Sequence, residues 1–175
     1  MSFSISDLQA ASRRVTAGQQ HQTLQEARAA GRRTAFLSHS HLDRSLALGL
    51  QRLLADGGWD LFIDWEHNTL DERPTKETAA WLQRSIELCD WLLYLATPNA
   101  ARSRWCPWEI GYADGKKGAK AIAVIATRDS AGTYGSEYLD LYRQISPTDT
   151  GPLALFEAGM TSNGRFLRDL PNFRP

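Results

Sequence analysis

A chain of 175 residues with 42% hydrophobic content is long enough for one domain with a real core, and its 20 Lys plus Arg balance its 20 Asp plus Glu. That neutrality, with no basic stripe growing from Arg13-Arg14 or Arg32-Arg33, argues against a nucleic-acid partner. Cys89 and Cys106 lack metal-ligand spacing and point to a reducing, cytoplasmic setting. No apolar stretch reaches the roughly eighteen residues of a membrane span, and Met1–Ile5 followed by Asp7 is not a secretory signal.

Residues 1–32 are rich in Ala, Gln and Arg and poor in large apolar side chains, so they are expected to form a helical appendage to a domain spanning 33–175. Ser6-Asp7 can cap a short helix carrying Leu8, Ala11 and Val15 that ends at Gly18, and Leu24, Ala27 and Ala30 can line a second. After Gly31 short apolar runs recur: Thr34 to Ser38, Trp59 to Trp65, Asp90 to Thr97, Ala121 to Thr127 and, more weakly, Leu153 to Phe156. Their spacing is that of a strand, a helix and two turns. The runs Leu92-Leu93-Tyr94-Leu95 and Ile122-Ala123-Val124-Ile125 are continuous, as in parallel strands covered on both faces.

Between the runs the period turns helical. Leu42, Leu46, Leu50, Leu53 and Leu54 share a face, Ser40-His41-Leu42-Asp43 resembles a capping box, and Gly57-Gly58 stops the helix. Thr78, Leu82, Ile86 and Cys89 follow the helix start Pro74-Thr75. The connection Glu66 to Arg73 is more polar than a turn requires, which fits either a ligand or partner contact or a solvated loop. Beyond residue 128 the signal weakens around one helix expected from Ser136 to Ile145.

Such a chain predicts an α/β fold: a doubly wound parallel sheet of five strands in the order 2-1-3-4-5, with a ligand beyond the carboxyl ends of strands one and three. Strand one ends at Ser38-His39-Ser40. Strand three ends at Thr97-Pro98-Asn99, which leads to Ser103-Arg104-Trp105-Cys106-Pro107-Trp108-Glu109. Pro107 belongs in a first helical turn, which places Glu109 in or near that turn, where the helix dipole favours an ionised carboxylate. This stretch is read as the active site. Glu109 alone also fits a helix-stabilising acid, and Trp105 and Trp108 also fit core side chains. Ser38, His39 and Ser40 also fit caps. His39 and His41 lack a partner at metal-ligand spacing, and no base can be assigned to Cys106.

Phe36-Leu37-Ser38-His39-Ser40 with Asp43, Trp59-Asp60-Leu61-Phe62-Ile63-Asp64, Ala96-Thr97-Pro98-Asn99 and Ser103-x-Trp105-Cys106-x-x-Glu109 occur in order over residues 33 to 128. Together they resemble a bacterial Toll/interleukin-1 receptor (TIR) domain. The resemblance implies a flavodoxin-like fold and cleavage of the nicotinamide–ribose bond of NAD, with Glu109 as the catalytic residue. The expected substrate-binding set is Ser38, His39, Ser40, Asp64, Trp65, Thr97 and Trp105. NAD is then the substrate, and neither cofactor nor metal is expected.

The chemistry suits one fixed carboxylate. Nicotinamide leaves as a neutral molecule from a cationic precursor, so the barrier is chiefly the oxocarbenium-like ribose, which a carboxylate stabilises. The chain is similar to the stand-alone TIR proteins of Thoeris-type antiphage defence. That likeness implies ADP-ribose or a cyclised or conjugated ADP-ribose as signal, a separate effector protein that responds to it, and a homo-oligomer on activation. Two other readings stay open: a non-catalytic adaptor acting by homotypic assembly, and a nucleoside-transferring enzyme of similar fold.

Overall fold

The computed structural model describes residues 2–15, 23–59, 75–170 and 175, with the backbone alone of 62–64. In chain order come β1 (Phe3–Ser4), α1 (Ile5–Ser12), α2 (Leu24–Ala29), β2 (Thr34–Ser38), a 3-10 turn (His41–Asp43), α3 (Arg44–Asp56), β3 (Phe62–Asp64), α4 (Lys76–Leu88) and β4 (Trp91–Ala96). Then follow α5 (Pro98–Arg102), α6 (Cys106–Lys117), β5 (Ile122–Arg128), β6 (Thr133–Tyr134), a 3-10 turn (Glu137–Leu141), β7 (Arg143–Pro147), β8 (Leu153–Phe156) and β9 (Arg165–Phe166). The strands form one mixed sheet in the order β3-β2-β4-β5-β7-β8-β9, with β1 and β6 joined to the far end of β5. Neighbours from β3 to β7 are parallel, and β8 and β9 add on antiparallel.

Period-2 alternation sends the strand side chains to two cores. Trp91, Leu93 and Leu95 of β4 meet Leu46, Leu50 and Leu54 of α3, while Leu92, Tyr94 and Ala96 meet Leu82 and Ile86 of α4 and Ile110 of α6. Leu50, Ile86, Leu92, Leu93 and Leu95 are all fully buried, each worth about 2 kcal/mol of apolar transfer. The helix starts follow local chemistry. Thr75 Oγ1 accepts from the Thr78 N–H at α4, and Thr23 and Glu26 form a reciprocal capping box at α2.

The first four predicted strands stand in the expected order, but the fifth does not. Leu153–Phe156 is antiparallel and one place further out, and the place beside β5 belongs to Arg143–Pro147, whose first three residues fall inside the helix expected from Ser136 to Ile145 and are strand instead. The sheet is therefore not five parallel strands. The spacing of buried Leu139, Tyr142 and Ile145 imitates a helical stripe. A short isolated helix is marginal, however, and pairing with the open edge of β5 satisfies a ladder of backbone groups.

The opening segment also contributes more core than its composition indicates. Phe3 and Leu8 lie in the α3-side core at 2% and 0% exposure. The backbones of α1 and α3 approach so closely that a Cβ at Gly49 would come 1.9 Å from the Leu8 carbonyl oxygen. Gly49, lacking a Cβ, is what lets the Leu8 backbone come this close, and a count of large apolar side chains does not register it.

Candidate active site

β2 pairs with β3 on one side and β4 on the other, so the chain order reverses between β2 and β4, and the site lies at their carboxyl ends. Ser38, the last residue of β2, is in register with Tyr94 and shares the face of Phe36, the side covered by α6. Two local starts shape α6. Thr97 caps the short α5 with Pro98 in its first turn, and Ser103 Oγ then accepts from the N–H groups of Trp105 (3.2 Å) and Cys106 (3.3 Å). Pro107 falls in the first turn of α6, as its missing N–H requires, and brings Glu109 inward.

Glu109 is only 4% exposed, and Ser38 Oγ donates to its Oε2 at 2.5 Å. Burial pushes the carboxyl up to about 7, although the Ser38 hydroxyl draws it down. Against the expectation of an ionised Glu109, loss of hydration outweighs the favourable first turn, and near neutral pH both forms are present. Cys106 beside it is 1% exposed and pushed up to about 12, by burial first and then by the Glu109 charge, so it stays an inert thiol. Burial also raises Tyr94, whose ring lies in the same core.

The Ser40-to-Asp43 stretch is not a capping box. Ser40 Oγ accepts from the Leu42 N–H at 3.4 Å, but Asp43 turns away from Ser40. Its buried carboxylate accepts from Thr97 Oγ1 at 2.5 Å and Asn99 Nδ2 at 2.8 Å, tying the loop after β2 to the loop after β4. Thr97 Oγ1 also accepts from the Ala100 N–H at 2.9 Å. The hydroxyls of Ser40 and Thr97, both expected on substrate, therefore hold the rim in place. Asp43 and Asn99 were not assigned roles from sequence. Their only signal was membership in the ordered motifs, because Asp three residues after Ser reads locally as a cap.

His39 is half-buried, with Nδ1 donating to the Leu37 carbonyl at 3.0 Å, and burial lowers its basicity. Trp105 and Trp108 are half-buried, stand edge to face at 5.4 Å, and Trp108 stacks on Tyr112 at 5.4 Å and 16°. Both rings border the α6-side core without entering it fully. Asp64 ends β3 opposite Phe36. Trp65 and the loop Glu66 to Arg73 lie outside the described residues. Among the described residues no three His, Cys, Asp or Glu side chains gather as metal ligands, and no helix is long and apolar enough to cross a membrane.

The structure thus brings Ser38 and Glu109 into contact, with His39 adjacent in the chain, and builds Ser40 and Thr97 into the walls. Comparison with known proteins gives the same stretch a family. A protein of Bacillus cereus (strain MSX-D12) named probable 3' cyclic ADP-D-ribose synthase ThsB' is 38% identical over 114 residues, 63% of this chain and 59% of that protein's own length. Residues 35–153, from β2 to the start of β8, match the TIR domain family. With the ordered motifs and the parallel sheet around Glu109, this match shows that the chain belongs to the TIR domain family.

Proposed function

We propose that this protein cleaves the nicotinamide–ribose bond of NAD and releases ADP-ribose or a cyclised or conjugated ADP-ribose as a signal in antiphage immunity of the Thoeris type. The observation that carries the reading is Glu109, a carboxyl buried to 4% exposure at the reversal point of the sheet and held by a 2.5 Å hydrogen bond from Ser38. The name of the Bacillus cereus relative, a probable cyclic ADP-ribose synthase, supports the same chemistry.

The bond between ribose C1′ and the nicotinamide nitrogen breaks with its electron pair going to nitrogen, which neutralises the pyridinium. Positive charge moves to the ribose, where the charged form of Glu109 stabilises it, and a pre-oriented carboxylate in a water-poor site is worth several kcal/mol there. Water then gives ADP-ribose with loss of one proton, and an internal nucleophile of the same nucleotide gives a cyclic product. Trp105 stacks on a substrate ring, His39 borders the same cleft, and Asp64 and Trp65 are assigned to substrate binding by the family resemblance alone. NAD is the substrate and no cofactor takes part. The protein assembles with itself on activation, and a separate effector responds to the product.

Incubating the purified protein with NAD, dilute and concentrated, and identifying products by mass spectrometry tests this reading. Glu109→Gln keeps size and hydrogen bonding but removes the charge, so turnover falls at least about a hundredfold with the fold intact. Undiminished turnover in that variant would overturn the assignment of Glu109.

A further inference from the structure

We infer that Ser38 is a positioning residue for Glu109: its hydroxyl aims the carboxyl and sustains its charged form inside the protein. The inference rests on the NAD-cleaving reading for its consequence on rate, but not for the contact itself. Ser38 is 1% exposed and closes β2 in register with Tyr94, so its side chain is fixed by the sheet, and its hydrogen is directed at Glu109 Oε2 over 2.5 Å. A carboxylate this far from solvent has little hydration of its own, and a hydroxyl donor at such a distance favours the anion over the acid. Cys106 adds a second layer, because its thiol is in hydrogen-bond contact with both Ser38 and Ser103 and stays protonated.

Among the described residues, the groups that act on this carboxyl or its neighbours Cys106 and Tyr94 include no counter-charge that replaces Ser38. Tyr94 from β4 and Cys106 from α6 are both raised by burial and stay neutral. Asp43 of the 3-10 turn acts on Cys106 as a further negative charge. His39, next in the chain, is held toward its neutral form by burial. Ser38 is therefore the hydrogen bond that draws Glu109 toward ionisation. A purely structural Ser38, present only to fill its place in β2, would affect stability without affecting how Glu109 titrates.

The test compares wild type, Ser38→Ala and Ser38→Thr by two readouts. One is the infrared titration of the Glu109 carboxyl, identified by its disappearance in Glu109→Gln. The other is the pH dependence of kcat for NAD. In Ser38→Ala the carboxyl is expected to titrate at higher pH, and kcat near pH 7 to fall about tenfold and recover in alkaline buffer. KM should change little, and Ser38→Thr, which keeps the hydroxyl, should stay close to wild type. An unmoved carboxyl titration in a folded Ser38→Ala would overturn the inference. A shifted titration in a protein that fails to turn over NAD would uphold the hold of Ser38 on Glu109 and overturn the proposed reaction instead.

Discussion

At Glu109 two demands oppose one another. Stabilising a ribosyl cation needs a charged carboxylate with little competing water, yet 4% exposure makes that charge costly to form. The result is a group pushed up to about 7 from an ordinary 4.5, and the shift acts on stability as well as rate. Below about 4.5 the carboxyl is protonated in both folded and unfolded chains, and its contribution is fully present. As pH rises toward 7 the unfolded chain gives up its proton first and stability is lost, by on the order of 3 kcal/mol, with no further change above. Glu109→Gln cannot titrate, so it should become progressively more stable than wild type across this window, as read from denaturant midpoints at a series of pH values. A gap independent of pH would mean that the carboxyl is hydrated. Asp43 makes a simpler case. Asp43→Ala leaves Thr97 Oγ1 and Asn99 Nδ2 without their acceptor and should cost about 3 kcal/mol, while Asp43→Asn, which keeps one acceptor oxygen, should cost roughly half. Thermal unfolding of the two variants distinguishes this bridge from a surface contact.

At the scale of elements, Trp105 just before α6 and Trp108 and Tyr112 within it form a ladder of rings bordering the α6-side core, with Lys116 Nζ 5.8 Å from the Tyr112 ring centre. Trp108 is only half-buried, and its ring stacks on a neighbour in the ladder, so Trp108→Ala should cost about 1 to 2 kcal/mol, less than removal of a fully buried ring. Trp105→Ala should lower NAD turnover far more than its stability loss explains. Equal and purely destabilising effects of the two changes would make both structural. The contact of α1 on α3 gives a test with the opposite sign from propensity. Ala is the better helix former by about 1 kcal/mol, yet Gly49→Ala places a methyl 1.9 Å from the Leu8 carbonyl oxygen. Neither backbone can yield without moving its helix, so the variant should lose about 2 kcal/mol in chemical denaturation. A gain in stability would show that α1 does not sit where the core places it.

For the molecule as a whole, the balance of 20 basic against 20 acidic residues leaves little net repulsion to keep copies apart near neutral pH. Activity that requires assembly should then appear as specific activity rising with protein concentration, alongside larger species in light scattering. Specific activity that stays flat over a hundredfold dilution would show that one copy carries a complete site.

Much of this architecture is legible in residue order because it rests on local chemistry. Continuous apolar runs become β2, β4 and β5, the expected start at Thr75 opens α4, and Pro107 sets the first turn from which Glu109 points inward. Four motifs in order identify the family without any contact being known. What only the tertiary structure decides depends on partners distant in the chain. Whether Arg143–Pro147 is helix or strand turns on an open edge of β5 some twenty residues earlier. Asp43 serves Thr97 and Asn99 rather than Ser40 because the fold brings two loops together across 54 and 56 residues of chain. The protonation of Glu109 follows the same rule: position in a helix predicts a charge, but burial against Ser38 and the sheet sets how readily it forms, and burial is a property of the packed molecule.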